Sequence, residues 1–365
     1  MATTTTNYGF DVPTSSDLVK NGATAIAELG QDIDTFLFRP FSRNVILNSS
    51  FSVWQRGTSF TAGTVALYTA DRWQSYRGVL GTTITRQATN DTTNLPNIQY
   101  CARVARDSGN TSTSQIFYSQ SLESVNSIPL AGKTVTVSFY ARAGANYSMA
   151  SSALGFQLTS GTGTDQNVTS GFTGASNIVN TTVTLTTTWQ RFTRTVAVPS
   201  TSTQLAVNYY FTPVGTAGAA DYFEVTGVQL EVGSQASPYA NQGASLQAEL
   251  AMCQRYYQRM TVTSSGSAFS IGMVDTTTSA LIRIPYKVSM RTAPTALEQS
   301  GTASDYALRL PASVVVGCNS VVSFGNASTE EIIVGFPVAS GLTAGQAVLG
   351  RAANANAYLG WSAEL

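Results

Sequence analysis

Histidine is absent from this 365-residue chain, and charge of either sign is scarce. Asp, Glu, Lys and Arg make up 11% of residues, where a typical soluble domain has about 25%. Without imidazole, neither a Ser-His-Asp nor a Cys-His nucleophile can be assembled. The same absence removes the usual general base near neutral pH and the main ligand of common zinc and facial-triad sites. Lysine occurs only at Lys20, Lys133 and Lys287, which leaves a serine nucleophile few bases to choose from. Cys101, Cys253 and Cys318 are far apart and odd in number, so they read as buried free thiols rather than a disulfide framework. Twenty basic residues balance twenty acidic ones. No basic face is therefore expected, and a nucleic-acid partner is excluded. The N-terminus has no basic-then-apolar leader, and no run approaches the ~18 apolar residues of a membrane span. Synthesis in a cytosol-like compartment without membrane insertion is the expectation.

What is present argues for a folded, β-rich molecule. The chain is 43% hydrophobic and 10% aromatic, which supports a packed core and is unlike the composition of disordered chains. After a polar arm, residues 16–37 read as a helix ended by Arg39-Pro40. Val19, Ile26 and Ile33 recur every seven residues, as do Gly22, Leu29 and Phe36. This is an a/d stripe over three heptads, suited to joining copies of the chain in a candidate trimeric coiled coil or to lying on the chain's own domain. From Val45 to about Ser234 the period becomes two. Val135, Val137, Phe139 and Ala141 alternate with polar residues, as do Leu205, Val207, Tyr209 and Phe211. Apolar parity slips at Gly227, which predicts a bulge there. Residues 243–260 return to helical spacing, with Leu246, Leu250, Cys253, Tyr257 and Met260 forming a second stripe. The last hundred residues are again β, and Pro285 is expected to put its strand at an edge or a bulge. The expected fold is mainly β. It comprises an N-terminal arm and helix (1–40), an antiparallel jelly-roll sandwich (41–238), a connecting helix (239–260) and a small β domain (261–365).

Three segments resemble bacteriophage virion fibre proteins of the tail-fibre or receptor-binding type. The stretch from Tyr8-Gly-Phe-Asp-Val-Pro-Thr-Ser-Ser-Asp17 to Leu37 is similar to the N-terminal attachment region of phage tail proteins. Asn44-Val-Ile-Leu-Asn-Ser-Ser-Phe-Ser-Val-Trp-Gln-Arg-Gly57 and Ala70-Asp-Arg-Trp73, paired with Thr226-Gly-Val-Gln-Leu-Glu-Val-Gly233, resemble the opening and closing strands of carbohydrate-binding-module-like jelly rolls. Glu249-Leu-Ala-Met-Cys-Gln-Arg-Tyr-Tyr257 is similar to the segment after the jelly roll in such proteins, and Leu359-Gly-Trp-Ser-Ala-Glu-Leu365 to their C-terminal ending. The resemblance implies a homotrimeric appendage on the virion surface, anchored by its N-terminal region to other virion proteins. It also implies a structural calcium near Asn48 and Glu224 or Glu231, although the sequence offers no dense Asp/Asn loop to supply the six to eight oxygens such an ion takes. No other cofactor is expected.

A sugar-binding sandwich needs aromatic faces and amide or carboxylate side chains. Trp54, Trp73, Tyr76, Tyr140 and Trp189 are the aromatics considered, and Tyr140, Tyr76 and Trp73 are the carbohydrate-binding candidates. Tyr140 stands opposite the apolar set of its strand; large aromatics such as Trp73 also serve as core. Glycoside cleavage would need two facing carboxylates. Asp221 and Glu224, or Glu330 and Glu331, are spaced to face apart, so no catalytic residue is expected. The expected function is a non-enzymatic adhesin for a host surface glycan, with a purely architectural head-fibre, collar or baseplate component as the alternative.

Overall fold

Val135, Val137, Phe139 and Ala141 are fully buried, and so are Leu205, Val207, Tyr209 and Phe211. The two alternating runs thus face one core, where each large apolar side chain contributes about 1.5–3 kcal/mol by leaving water. The computed structural model describes residues 3–4, 11–12, 14, 18, 21–37, 44–77, 80–243 and 245–365. Residues 1–43 and 44–365 are separate compact units. In the first, strands β1 (Thr3–Thr4) and β2 (Asp11–Val12) form an antiparallel pair, followed by helix α1 (Gly22–Leu37). Of its heptad stripe, Ile26 is 65% and Ile33 40% exposed, and Leu29 is half-buried. Val19 and the side chain of Phe36 lie outside the described residues.

The second unit opens with an antiparallel sandwich. Its strands are β3 (Ser59–Ala62), β4 (Leu67–Tyr68), β5 (Gln74–Arg77), β6 (Thr82–Ala88), β7 (Tyr100–Arg106) and β8 (Ile116–Ser121). After a short helix α2 (Ser124–Ser127) come β9 (Thr134–Ala143), β10 (Ala153–Gly161), β11 (Ser176–Thr184), β12 (Gln190–Ala197), β13 (Gln204–Phe211) and β14 (Tyr222–Val232). One six-stranded sheet runs β11-β10-β13-β8-β5-β4 and the other β12-β9-β14-β7-β6-β3. The chain switches repeatedly between the two sheets, as in a jelly roll. The predicted slip is present: pairing of β14 with β9 shifts between Thr226 and Gln229, and Gly227 takes a φ of +58°. A Cβ there would meet the Tyr140 ring and Ile98 at 2.8 Å, so glycine is needed for space as well as conformation.

The second helical stripe is shorter than expected. Helix α3 spans Leu246–Gln254, and Tyr257 and Met260 belong instead to strand β15 (Tyr257–Thr261). Pairing of Tyr257 with Ser362 across a long sequence separation overrides the local helical spacing. Leu246 stays 59% exposed while Cys253 is fully buried, so the helix packs within the chain through its C-terminal half.

Strands β16 (Ala268–Thr276), β17 (Ser279–Pro285), β18 (Glu298–Gln299), β19 (Tyr306–Arg309) and β20 (Val315–Gly317) follow. The last are β21 (Ser323–Ala327), β22 (Glu331–Pro337), β23 (Ala347–Ala352) and β24 (Tyr358–Ser362). They form a seven-stranded sheet, β20-β19-β23-β16-β17-β22-β21, and a three-stranded one, β15-β24-β18. Pro285 corrects the edge-strand expectation, because β17 lies inside the larger sheet. It is the last residue of its strand and pairs with Glu331 alone, β16 having left the ladder by Ile282, so its missing N–H breaks no bond on that side. All three cysteines are free and buried.

Candidate functional site

The two sheets treat their outer faces differently. Over β9 and β7, the outward Tyr140 and Cys101 are covered by Leu95, Ile98 and Trp189, with Tyr239 packed alongside. Next to this cluster sits Glu224, fully buried, with Arg103 Nη2 at 2.6 Å and Arg142 Nε at 2.5 Å from its carboxylate. The guanidinium groups lie over the rings of Tyr222 (3.9 Å) and Trp189 (4.7 Å). Burial raises the pKa of the Cys101 thiol well above its usual value, and the nearby Glu224 carboxylate adds to this.

The outer face of the other sheet holds a groove of about 280 Å³. Ladder register places Tyr76, Phe117, Tyr210 and Gly155 in one cross-strand row and Gln74, Ser119, Asn208 and Gln157 in the next. The Tyr210 ring lies across Gly155, where a Cβ would come within 2.1 Å of it. Its centroid is 6.1 Å from that of Phe117. Tyr76 is 36% exposed at the open end. Asn208 Nδ2 donates to Thr159 Oγ1 (2.8 Å), which donates in turn to Asn177 Oδ1 (2.7 Å). This chain orients the amide, and among the described residues its Oδ1 has no partner.

The far wall is a 3-10 turn (Val168–Ser170) leading to Phe172. Asn167 fixes the turn, accepting from the Thr169 N–H at 2.9 Å and donating to the Leu365 carbonyl at 2.9 Å. Val168 N–H donates to Ser121 Oγ at 2.9 Å. Among the described residues, none that lines the groove carries a formal charge. Aromatic faces beside oriented amides and hydroxyls can receive the C–H face of a sugar ring and its hydroxyl groups.

Of the sequence candidates, Tyr76 alone lines this groove. Tyr140 does point outward as its parity requires, but from the opposite sheet, half-buried beneath Leu95 and Ile98 with Arg191 5.7 Å from its ring. Trp73 is corrected outright. It has no exposure, stacks 5.4 Å from Tyr118, lies tilted 5.0 Å from Phe51, and donates its indole N–H to the Asn48 carbonyl. Large size and flanking by inward strands make it core. Trp54 and Trp189 likewise sit at 8% and 4% exposure with their indole N–H groups bonded to carbonyls.

Phe117, Asn208, Tyr210 and Phe172 are absent from the sequence candidates. For Asn208 and Tyr210 the signal was available, since both alternate with the buried set Leu205, Val207, Tyr209 and Phe211.

At the calcium position that the resemblance implies, the side chains are held by other partners. Asn48 bonds Val53 and the Asp71 carbonyl, Glu224 is held by two arginines, and Glu231 accepts from Ser237 and Gln229. Among the described residues, no three Cys, Asp or Glu side chains gather into a group that could hold a metal ion. Asp221 is likewise taken by Arg106, 2.9 Å away, both being fully buried.

No protein-family model matches the sequence, and no curated protein matches it. Solved structures overlap it in part. The enzymatically active domain of tailspike protein 4 of bacteriophage CBA120 overlaps with a TM-score of 0.31 at 11% identity, over 52% of this chain and 21% of that one. The C-terminal family 22 carbohydrate-binding module of Clostridium thermocellum Xyn10B gives 0.32 at 14% identity, over 54% of this chain and 99% of the module. TmCBM61, solved with β-1,4-galactotriose, gives 0.31 at 13% identity, over 53% of this chain and all of that one (100%).

Proposed function

We propose that the chain is a non-enzymatic glycan-binding component of a phage particle, and that it binds through the groove over β5, β8, β13 and β10. The observation that carries this reading is the groove's make-up: Tyr76 and Phe117 beside Asn208, Asn177 and Gln157, with no charged side chain lining it among the described residues. Neutral hydroxyl-rich ligands fit such a surface, whereas glycoside cleavage needs two carboxylates at the bond. The virion setting draws on the segments that resemble phage fibre proteins. A homotrimer draws on the exposed Ile26 and Ile33 of α1. Three weak sites on one particle would raise effective concentration enough to hold a host surface.

Binding of the purified full chain to an array of neutral host-type oligosaccharides is the test. Retention by the wild type and loss in Asn208→Ala is the expected result. Uniform silence across the host's own surface polysaccharides would count against the groove as a receptor site. The architectural alternative draws on the same exposed helix stripe and predicts binding to other virion proteins only. Antibody labelling of intact particles separates the two, since an adhesin must project outward.

A further inference from the structure

A second cavity, of about 450 Å³, lies where the sandwich meets α3 and β15. That volume falls within the range of about 300–1,000 Å³ typical of small-ligand sites. Among the described residues, its wall contains Arg56, Arg259 and Lys287 and no carboxylate. In a chain with balanced and sparse charge, three cations on one concave surface are a marked concentration.

The pairing of these cations is incomplete. Arg56, with its side chain 9% exposed, lies with its guanidinium 3.4 Å from the centroid of the Tyr257 ring; its salt-bridge partner among the described residues is Glu364 at 3.4 Å, which Arg72 also engages, and its charge also bears on the buried Asp71 carboxyl. Arg259 donates through Nη1 to the Arg56 carbonyl (2.9 Å) and lies over Tyr358 at 3.6 Å, while its buried Nε has no acceptor among the described residues. Lys287 has no carboxylate partner among the described residues, although its backbone is fixed by Gln258 (3.0 Å). Glu298, another nearby acid, accepts from the Tyr257 hydroxyl at 2.7 Å. Gln254 also lines the cavity, and its amide, which makes no hydrogen bond among the described residues, is free to meet a ligand there. The buried orphan here is Arg259 Nε, and an unsatisfied buried donor costs free energy that a ligand's oxyanion would recover. Trp54 and Leu250 add an apolar wall.

We propose that this junction cavity binds an acidic sugar residue, a pyranose carrying a carboxylate or a phosphate. The anion sits among Arg56, Arg259 and Lys287, where guanidinium forks match either oxyanion. Gln254 takes a ring hydroxyl, and Trp54 and Leu250 meet the C–H face. The site is separate from the uncharged groove and selects ligands of the opposite character.

The test is titration of the full chain, followed by NMR, with methyl glucuronide, glucose 6-phosphate, methyl glucoside and inorganic phosphate. One or both acidic sugars should bind about tenfold more tightly than methyl glucoside and than phosphate, and weaken as salt is raised. Whichever acidic sugar binds identifies the anion. Arg259→Gln should abolish the preference and the exposed Lys287→Gln should weaken it, so a folding failure in the first leaves the second to decide. Tyr76→Ala should leave it unchanged, which separates this site from the groove. Equal binding of methyl glucoside, binding of phosphate as tight as either acidic sugar, no binding at all, or loss in Tyr76→Ala would each overturn the proposal.

Discussion

Arg72 and Glu364 form an ion pair with side-chain exposures of 2% and 5%, joining the start of the sandwich to the segment after β24. Arg72 also donates to the Ser121 carbonyl at 2.7 Å and lies over the Tyr256 ring at 3.7 Å. Replacing Glu364 with Ala strands a buried cation, and the expected loss is about 3–5 kcal/mol in urea unfolding. A loss below about 1 kcal/mol would show that water reaches Arg72 and that the pair behaves as a surface one.

Trp73 and Tyr76 stand three residues apart on opposite sides of the sandwich wall, and their substitutions should separate stability from binding. Trp73→Ala opens a cavity between Phe51 and Tyr118 and should cost about 3–5 kcal/mol. Tyr76→Ala should change stability by no more than about 1 kcal/mol yet weaken glycan binding roughly tenfold. Thermal melts and glycan titrations on both variants check this; equal stability losses would place Tyr76 in the core.

Burial raises the pKa of the fully buried Asp71 carboxyl to about 6, against partial relief from the Arg56 charge and the Gln55 hydrogen bonds. A folded-state value above the unfolded one means that the folded chain holds the extra proton. Its contribution is therefore complete below about pH 4 and is lost as pH rises through about 6. Asp71→Asn removes this titration. Relative to wild type, the variant should gain up to about 3 kcal/mol between pH 4 and pH 7, two units at 1.36 kcal/mol each. A pH-independent difference in melting would refute the assignment.

If α1 joins copies of the chain, Ile26→Asp combined with Ile33→Asp should dissociate the oligomer and leave the melting of residues 44–365 unchanged. Sedimentation velocity reads the first and calorimetry the second. A wild type that sediments as a monomer at working concentration would rule out the helix as a joining element.

The strands were legible in the sequence because burying one face forces a period of two, and Val135–Ala141 and Leu205–Phe211 obey it. The site was only half legible. Parity turns Tyr140 and Tyr210 outward alike, and only the fold decides that Leu95 and Ile98 cover the first while a groove opens beside the second. The helix ending at Gln254 was hidden for a similar reason, since the partner of Tyr257 lies about a hundred residues away at Ser362. Charge is sparse in the sequence, yet Arg106–Asp221 and the Glu224 pairs with Arg103 and Arg142 are buried contacts between residues mostly distant in sequence. Composition counts charges without locating them.

The Tyr210 ring rests where Gly155 has only a hydrogen. Any larger residue at 155 would evict the Tyr210 ring from its seat beside Phe117, which lines the groove, and so reshape that wall. A position that offers a ligand no functional group thus sets the shape of that wall, and drift in ligand preference could arise there while every side chain lining the groove stayed the same.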